Sequence, residues 1–280
     1  FGGFEFDYIF VSAQRRRGEM EKKMKQRIIT AIVLVALFLP CVIVSGIPFK
    51  ILMAFIGVMA TYELLSITKE PKPHFYLYIV LGAYILGSLF FSKGLLVSNM
   101  FIVIYMVVLL TCGIFDAGMP FLRISYYFTS ATLVALGLHA VYYFRTALDL
   151  RYVIFLALAT LGADTFAYFV GRAIGKHKLN PRLSPKKTIE GSIGGIVCGG
   201  LLALAYAYFV HIPNPLTHLA LMSFVLATTG QIGDLTFSSI KRTFEVKDYS
   251  QIFPGHGGVL DRFDSIIFNS MILGFLLTLL

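Results

Sequence analysis

The 280-residue chain is 57% hydrophobic and only 14% charged, with a mean hydropathy of +0.78. A soluble globular domain carries nearer a quarter charged residues, so composition excludes that class and indicates an all-α polytopic integral membrane protein. The net charge of +9 is confined to the N-terminus and the inter-span loops. Topology and an anionic substrate account for it there, and nucleic acid is not expected as a partner.

The chain opens on a basic tail, residues 1–27, with Arg15, Arg16 and Arg17 ahead of Met20. Arg, Gly and Glu can be written in purine-only codons, so the run before Met20 reads as a translated ribosome-binding site, with residues 1–19 non-native. The other reading is a natural basic tail. No small-residue cleavage site follows the first apolar segment, so no cleavable signal peptide is expected.

Apolar segments follow at 28–45, 51–67, 75–91, 95–115, 124–144, 152–171, 192–211, 216–240 and 263–280, about nine spans in all. A span takes about 20 residues and must satisfy its own backbone in hydrocarbon, which predicts helices. They divide into an N-terminal group, 28–150, and a C-terminal group, 151–280, that carries the chemistry-bearing loops. With the N-terminus cytoplasmic, only Lys50, Lys93, Arg145 and Arg151 of the 24 Lys and Arg residues fall on the far side. That bias places both polar loops, 172–191 and 241–262, on the cytoplasmic face of the cell (inner) membrane. Cys41, Cys112 and Cys198 lie in apolar segments without metal-ligand spacing, and no disulfide is expected. Gly191, Gly195 and Gly199 form a small-residue face that serves either packing within the chain or a homodimer seam.

Acids are embedded where bases are not. Glu63, Asp164 and Asp234 lie inside apolar segments, a costly placement that indicates function. Asp261 and Asp264, spaced i,i+3, share one face at the opening of the last helix. Either alone is explained by helix capping; together with Asp234 and Asp164 they suit Mg²⁺, a hard cation that keeps positions for phosphate oxygens. No His/Cys cluster for zinc is seen. In the 172–191 loop a P-loop is excluded by spacing, since no Ser or Thr follows Lys176. Lys186 and Lys187, between Ser184 and Thr188, stand next to a helix start, where free amides favour phosphate. In the 241–262 loop, His256 lies among Gly255, Gly257 and Gly258, which let backbone approach a ligand closely.

Ser238-x-x-Lys241-Arg242, then Lys247-Asp248, then Pro254-Gly255-His256-Gly257-Gly258-x-x-Asp261-Arg262-x-Asp264 resembles the signature of phosphatidate cytidylyltransferases (CDP-diacylglycerol synthases). Ser184-Pro185-Lys186-Lys187-Thr188-x-Glu190-Gly191 and the Asp164 segment are similar to that family too, as is Glu63, while residues 1–19 have no counterpart. The resemblance implies CTP and phosphatidate as substrates, CDP-diacylglycerol and pyrophosphate as products, Mg²⁺ as a requirement and a membrane-embedded homodimer. It implies a catalytic set of Asp234, Asp261, Asp264, Lys241 and Arg242. Phosphate contacts would come from Ser184, Lys186, Lys187, Ser238, Lys247, His256, Gly257, Gly258 and Arg262. One or two cations would be held by Asp234, Asp261 and Asp264, with Asp164 nearby. Two rivals are a CTP-dependent lipid kinase, acting on a polyprenol-type alcohol and releasing CDP, and a transporter whose acids line an ion path.

Overall fold

The structure, a computed structural model, describes residues 26, 29–30, 32–68, 72–253, 255 and 257–280. Apart from Gln26 the basic tail lies outside the described residues, as do the reading of residues 1–19 and the expected role of His256. Nine helices are described: α1 (Ile32–Val44), α2 (Gly46–Ser66), α3 (Phe75–Phe91), α4 (Asn99–Phe115), α5 (Phe121–Tyr143), α6 (Leu150–Ile174), α7 (Ile189–Phe209), α8 (Leu216–Thr243) and α9 (Leu260–Leu279). A π-helical turn, Phe144–Leu148, extends α5. Six of them are long and apolar enough to cross a membrane, and α1, α3 and α4 are shorter apolar helices.

Each expected span overlaps one helix, but two loops differ from expectation. The 172–191 segment folds into an antiparallel hairpin of β1 (Lys178–Asn180) and β2 (Ser184–Thr188), which a purely helical reading did not contain. Helix α8 also runs on to Thr243, so Lys241 and Arg242 ride on its last turn rather than in a loop.

The polar ends gather into two layers. At one end His74 and Tyr76 meet Asp116, Arg123 donates to the Thr68 carbonyl, and Tyr126 donates to the Leu64 carbonyl while packing on Phe244. At the other, Arg145 donates to the Val42 and Ile43 carbonyls at the end of α1, and Arg151 to those of Val210 and His211 at the end of α7. Both arginines thus satisfy orphan carbonyls at helix C-termini, where the dipole also favours a cation.

Helix α9 joins the two halves of the core. Leu260 and Ile267 pack with α2–α5, whereas Leu273 and Leu276 pack with α6–α8. Asn269, fully buried, donates to Thr160 Oγ1 and the Leu226 carbonyl and accepts from Thr229 Oγ1, each within 2.8 Å. That side chain joins α6, α8 and α9 by hydrogen bonds that apolar surroundings leave without competition from water. Gly191, Gly195 and Gly199 sit against α6: a Cβ on Gly199 would lie 2.6 Å from the Ala163 nitrogen, and one on Gly191 2.6 Å from the Ala167 carbonyl oxygen. Of the two uses expected for this face, packing within the chain is the one observed.

Candidate active site

Strand β2 delivers the first group of residues. Its last residue, Thr188, caps α7 by accepting from Gly191 N at 3.2 Å. Glu190 in the first turn of α7 accepts from the backbone amides of Lys176 and His177 and from His177 Nδ1, which ties the α6 exit to the α7 entry. Between these fixed points Lys187 turns inward. Its Nζ lies 2.6 Å from Asp234 Oδ2 on α8 and 3.8 Å from Asp164 Oδ1 on α6. The ammonium is buried and makes no well-aligned hydrogen bond, so this is a contact of charges. Asp264, buried on α9, stands within electrostatic reach of both Asp234 and Asp164. Two acids from two helices therefore flank one lysine, and a third acid on α9 stands close enough to feel both.

A cavity of about 330 Å³ opens beside this cluster, lined by Asp164, Tyr168, Arg172, Ser184, Lys186, Lys187, Thr188 and Gln231, among others. Ser192 donates to Gln231 Oε1 at 2.6 Å, and Gln231 Nε2 returns a hydrogen bond to the Ser192 carbonyl, which locks the cavity wall between α7 and α8. Cations and hydroxyls along the lining, with the Asp164 carboxylate among them, suit a polyanion carried with a metal ion.

A second group lies at the start of α9. Asp261 Oδ1 accepts from Lys241 Nζ at 2.6 Å, and its Oδ2 accepts from Tyr249 N (2.8 Å) and Gly258 N (2.9 Å). Lys241 also lies over the Tyr249 ring, 5.5 Å from its centre. Glu63 on α2, fully buried, accepts from Ser250 Oγ (2.6 Å), Val259 N (2.8 Å) and Leu260 N (2.7 Å). The 249–260 loop is thus held from two sides by carboxylates. Gly257 has φ +84, and a Cβ there would lie 2.8 Å from Asp261 Oδ2; one on Gly258 would collide with the Glu63 carboxylate. The close backbone approach that the glycines permit is made to the protein's own acids.

The expected site residues therefore separate. Asp164, Lys187, Lys186 and Ser184 line the cavity, with Asp234 against Lys187 and Asp264 within electrostatic reach of both acids, while Asp261 and Lys241 pair with each other and hold the loop, Lys241 also acting on Asp264. Arg242, Lys247 and Arg262 are exposed and Ser238 is half-buried; Arg242 Nη1 donates to the Val246 carbonyl. Gln231, Ser192 and Tyr249 were not anticipated from the sequence. A glutamine inside an apolar helix is signal enough to single out Gln231, because its amide must find partners there.

Residues 25–280 match the cytidylyltransferase family. The chain belongs to that family. Among curated relatives, the phosphatidate cytidylyltransferase of Bacillus subtilis is 37% identical over 264 residues, covering 91% of this chain and 98% of the relative. Those of Staphylococcus haemolyticus and Staphylococcus aureus are 35% and 34% identical, each covering 91% of this chain and 99% of the relative. The cytidylyltransferase match takes in the cavity, the acid cluster and the Glu63–Asp261 loop alike. Among the described residues, no three His, Cys, Asp or Glu side chains form a ready-made metal cage. Mg²⁺ is commonly held by only one or two carboxylates, with phosphate oxygens and water filling its other positions, so a full cage is not needed. The position of the Lys187 ammonium marks where positive charge is favoured.

Proposed function

We infer that this chain is a phosphatidate cytidylyltransferase, which joins CTP and phosphatidate into CDP-diacylglycerol and releases pyrophosphate. The match to relatives of that name across nearly their whole length carries this reading. The lysine-lined cavity beside three helix-borne acids agrees with it.

The reaction needs little acid–base help. A phosphate monoester already carries most of its second charge near neutral pH, its second pKa being about 6, so phosphatidate supplies its own nucleophile. A phosphatidate oxygen bonds to the α-phosphorus of CTP as the bond from that phosphorus to the β-phosphate bridging oxygen breaks, and pyrophosphate leaves with the electron pair. Positioning and charge neutralisation are then the main work. Lys186 and Lys187 would receive CTP phosphates, with Ser184 and Arg172 on the same wall. Asp234 and Asp264, with Asp164 beside them, would hold Mg²⁺, one ion or two. When bound, magnesium supplies positive charge against the leaving pyrophosphate. Asp261 and Lys241 fix the loop on which Asp264 depends, and Arg242, Lys247 and Arg262 are left facing the head group or the leaving group.

Nine crossings, with the cavity end cytoplasmic and the inner membrane as location, fit the distribution of Lys and Arg. A homodimer would need a surface other than the glycine face of α7, which α6 already covers.

The test is product analysis. Protein in lipid nanodiscs receives phosphatidate, Mg²⁺ and CTP labelled at the α-phosphorus. The expected result is label in the lipid and stoichiometric pyrophosphate in solution. Labelled CDP in solution would instead identify the lipid-kinase chemistry, and ion flux without CTP turnover a transporter.

A further inference from the structure

Glu63 is the only charged side chain among the described residues with no measurable exposure, and it belongs to the half of the molecule farthest in sequence from the acid cluster. An acid so placed in an apolar helix is tolerable only if donors surround it. Its donors are the hydroxyl of Ser250 and the first amides of α9, those of Val259 and Leu260. The opening amides of a helix have no partner within it, and a residue just before the helix ordinarily supplies one. Helix α9 has none: Val259 stands at its N-cap in helical conformation without a capping side chain. The cap comes instead from α2, 197 residues earlier than Leu260.

Asp264 follows one turn after Leu260. The height and rotation of that first turn decide where its carboxylate stands relative to Asp234 and Asp164. Asp261 ties this turn to the end of α8 through Lys241 and to the preceding loop through Tyr249 and Gly258, which leaves Glu63 as its hydrogen-bonded tie to α2.

We propose that Glu63 is a positioning residue for cytidylyl transfer: by capping α9 from α2 it fixes the register in which Asp264 joins Asp234 and Asp164. The proposal rests on the functional reading above and adds a residue that touches neither substrate. A carboxylate that merely satisfies itself in the core predicts loss of folded protein on substitution, with normal turnover in what remains. A positioning carboxylate predicts folded protein that binds substrates and turns them over slowly, because the lysines that receive phosphate lie on β2.

The experiment compares wild type with Glu63→Gln, Glu63→Ala, Glu63→Asp and Ser250→Ala in nanodiscs. It reads kcat, KM for both substrates, and hydrogen–deuterium exchange along the chain. Misplacement by about 1 Å costs on the order of 100-fold in rate, so Glu63→Ala is expected to lose ~100-fold in kcat and Glu63→Gln ~10-fold. Both KM values should stay within about threefold, and exchange should rise over 249–265 alone. Glu63→Asp should recover part of the alanine loss, and Ser250→Ala, which removes one donor of three, should cost ~3-fold. Wild-type kcat per folded molecule in Glu63→Gln and Glu63→Ala overturns the proposal. So does a kcat loss accompanied by faster exchange in every helix. If Glu63→Ala fails to fold, Glu63→Gln and Ser250→Ala decide the question by the same two readouts. An inactive wild type overturns the functional reading and this proposal with it; an active wild type with unimpaired variants overturns this proposal alone.

Discussion

Asp261 and Asp264 sit three residues apart on one helix, yet their contacts differ. Asp261 is spent on Lys241 and two backbone amides, whereas Asp264 accepts from Ser265 N and lies within electrostatic reach of Asp234, Asp164 and Lys241. Asp264→Asn and Asp234→Asn should therefore fold normally and lose about 100- to 1,000-fold in kcat, as measured by pyrophosphate release. Asp261→Asn should instead cost stability. Its partner Lys241 would remain buried without its hydrogen-bonded carboxylate, a loss of roughly 3 kcal/mol that a thermal-shift series would register. Both acids were legible in the sequence as an i,i+3 pair. The difference in their contacts was not, because it depends on where α8 ends: three further residues of helix bring Lys241 to Asp261. Glu63 was legible as an anomaly, an acid in an apolar run. Its partner was not, since nothing local to residue 63 indicates the N-terminus of α9.

At the scale of elements, apolar period and length located every helix to within a few residues, because hydrocarbon leaves the backbone no other solution. The β-hairpin escaped that logic. Its strands lie in a charged loop, and pairing there is set by turn geometry and by the anchors at Thr188 and Glu190 rather than by burial. The α6–α7 contact is a glycine face against Ala163 and Ala167. Gly195→Val should force those helices apart and cost about 1–3 kcal/mol, visible as a lower melting temperature. The junction of the α2–α3 and α4–α5 loops should respond to acid. Hydrogen bonds from Tyr76 and the Gly118 amide, with His74, hold the Asp116 carboxyl below its ordinary 3.8. A group lowered on folding stabilises above its unfolded pKa and loses that contribution as pH falls through the folded one. The difference in melting temperature between wild type and Asp116→Asn is thus expected at neutral pH, should begin to shrink near pH 3.8 and should close only below the lower, folded-state value.

For the whole molecule, alternate loops collect at opposite ends, so one set of loops shares the side of the acid cluster. Labelling of single cysteines at exposed Lys93 and Lys247, in a background without Cys41, Cys112 and Cys198, tests this in intact cells. An impermeant reagent should reach position 93 and miss position 247. Lys187 has a wider consequence. Because its ammonium lies between Asp164 and Asp234, part of the neutralisation of two neighbouring helices is written into the polypeptide. A preparation stripped with a chelator should melt within a degree or two of one kept in magnesium. The Lys187→Met variant, deprived of its built-in counterion, should come to depend on the salt in its buffer to stay assembled.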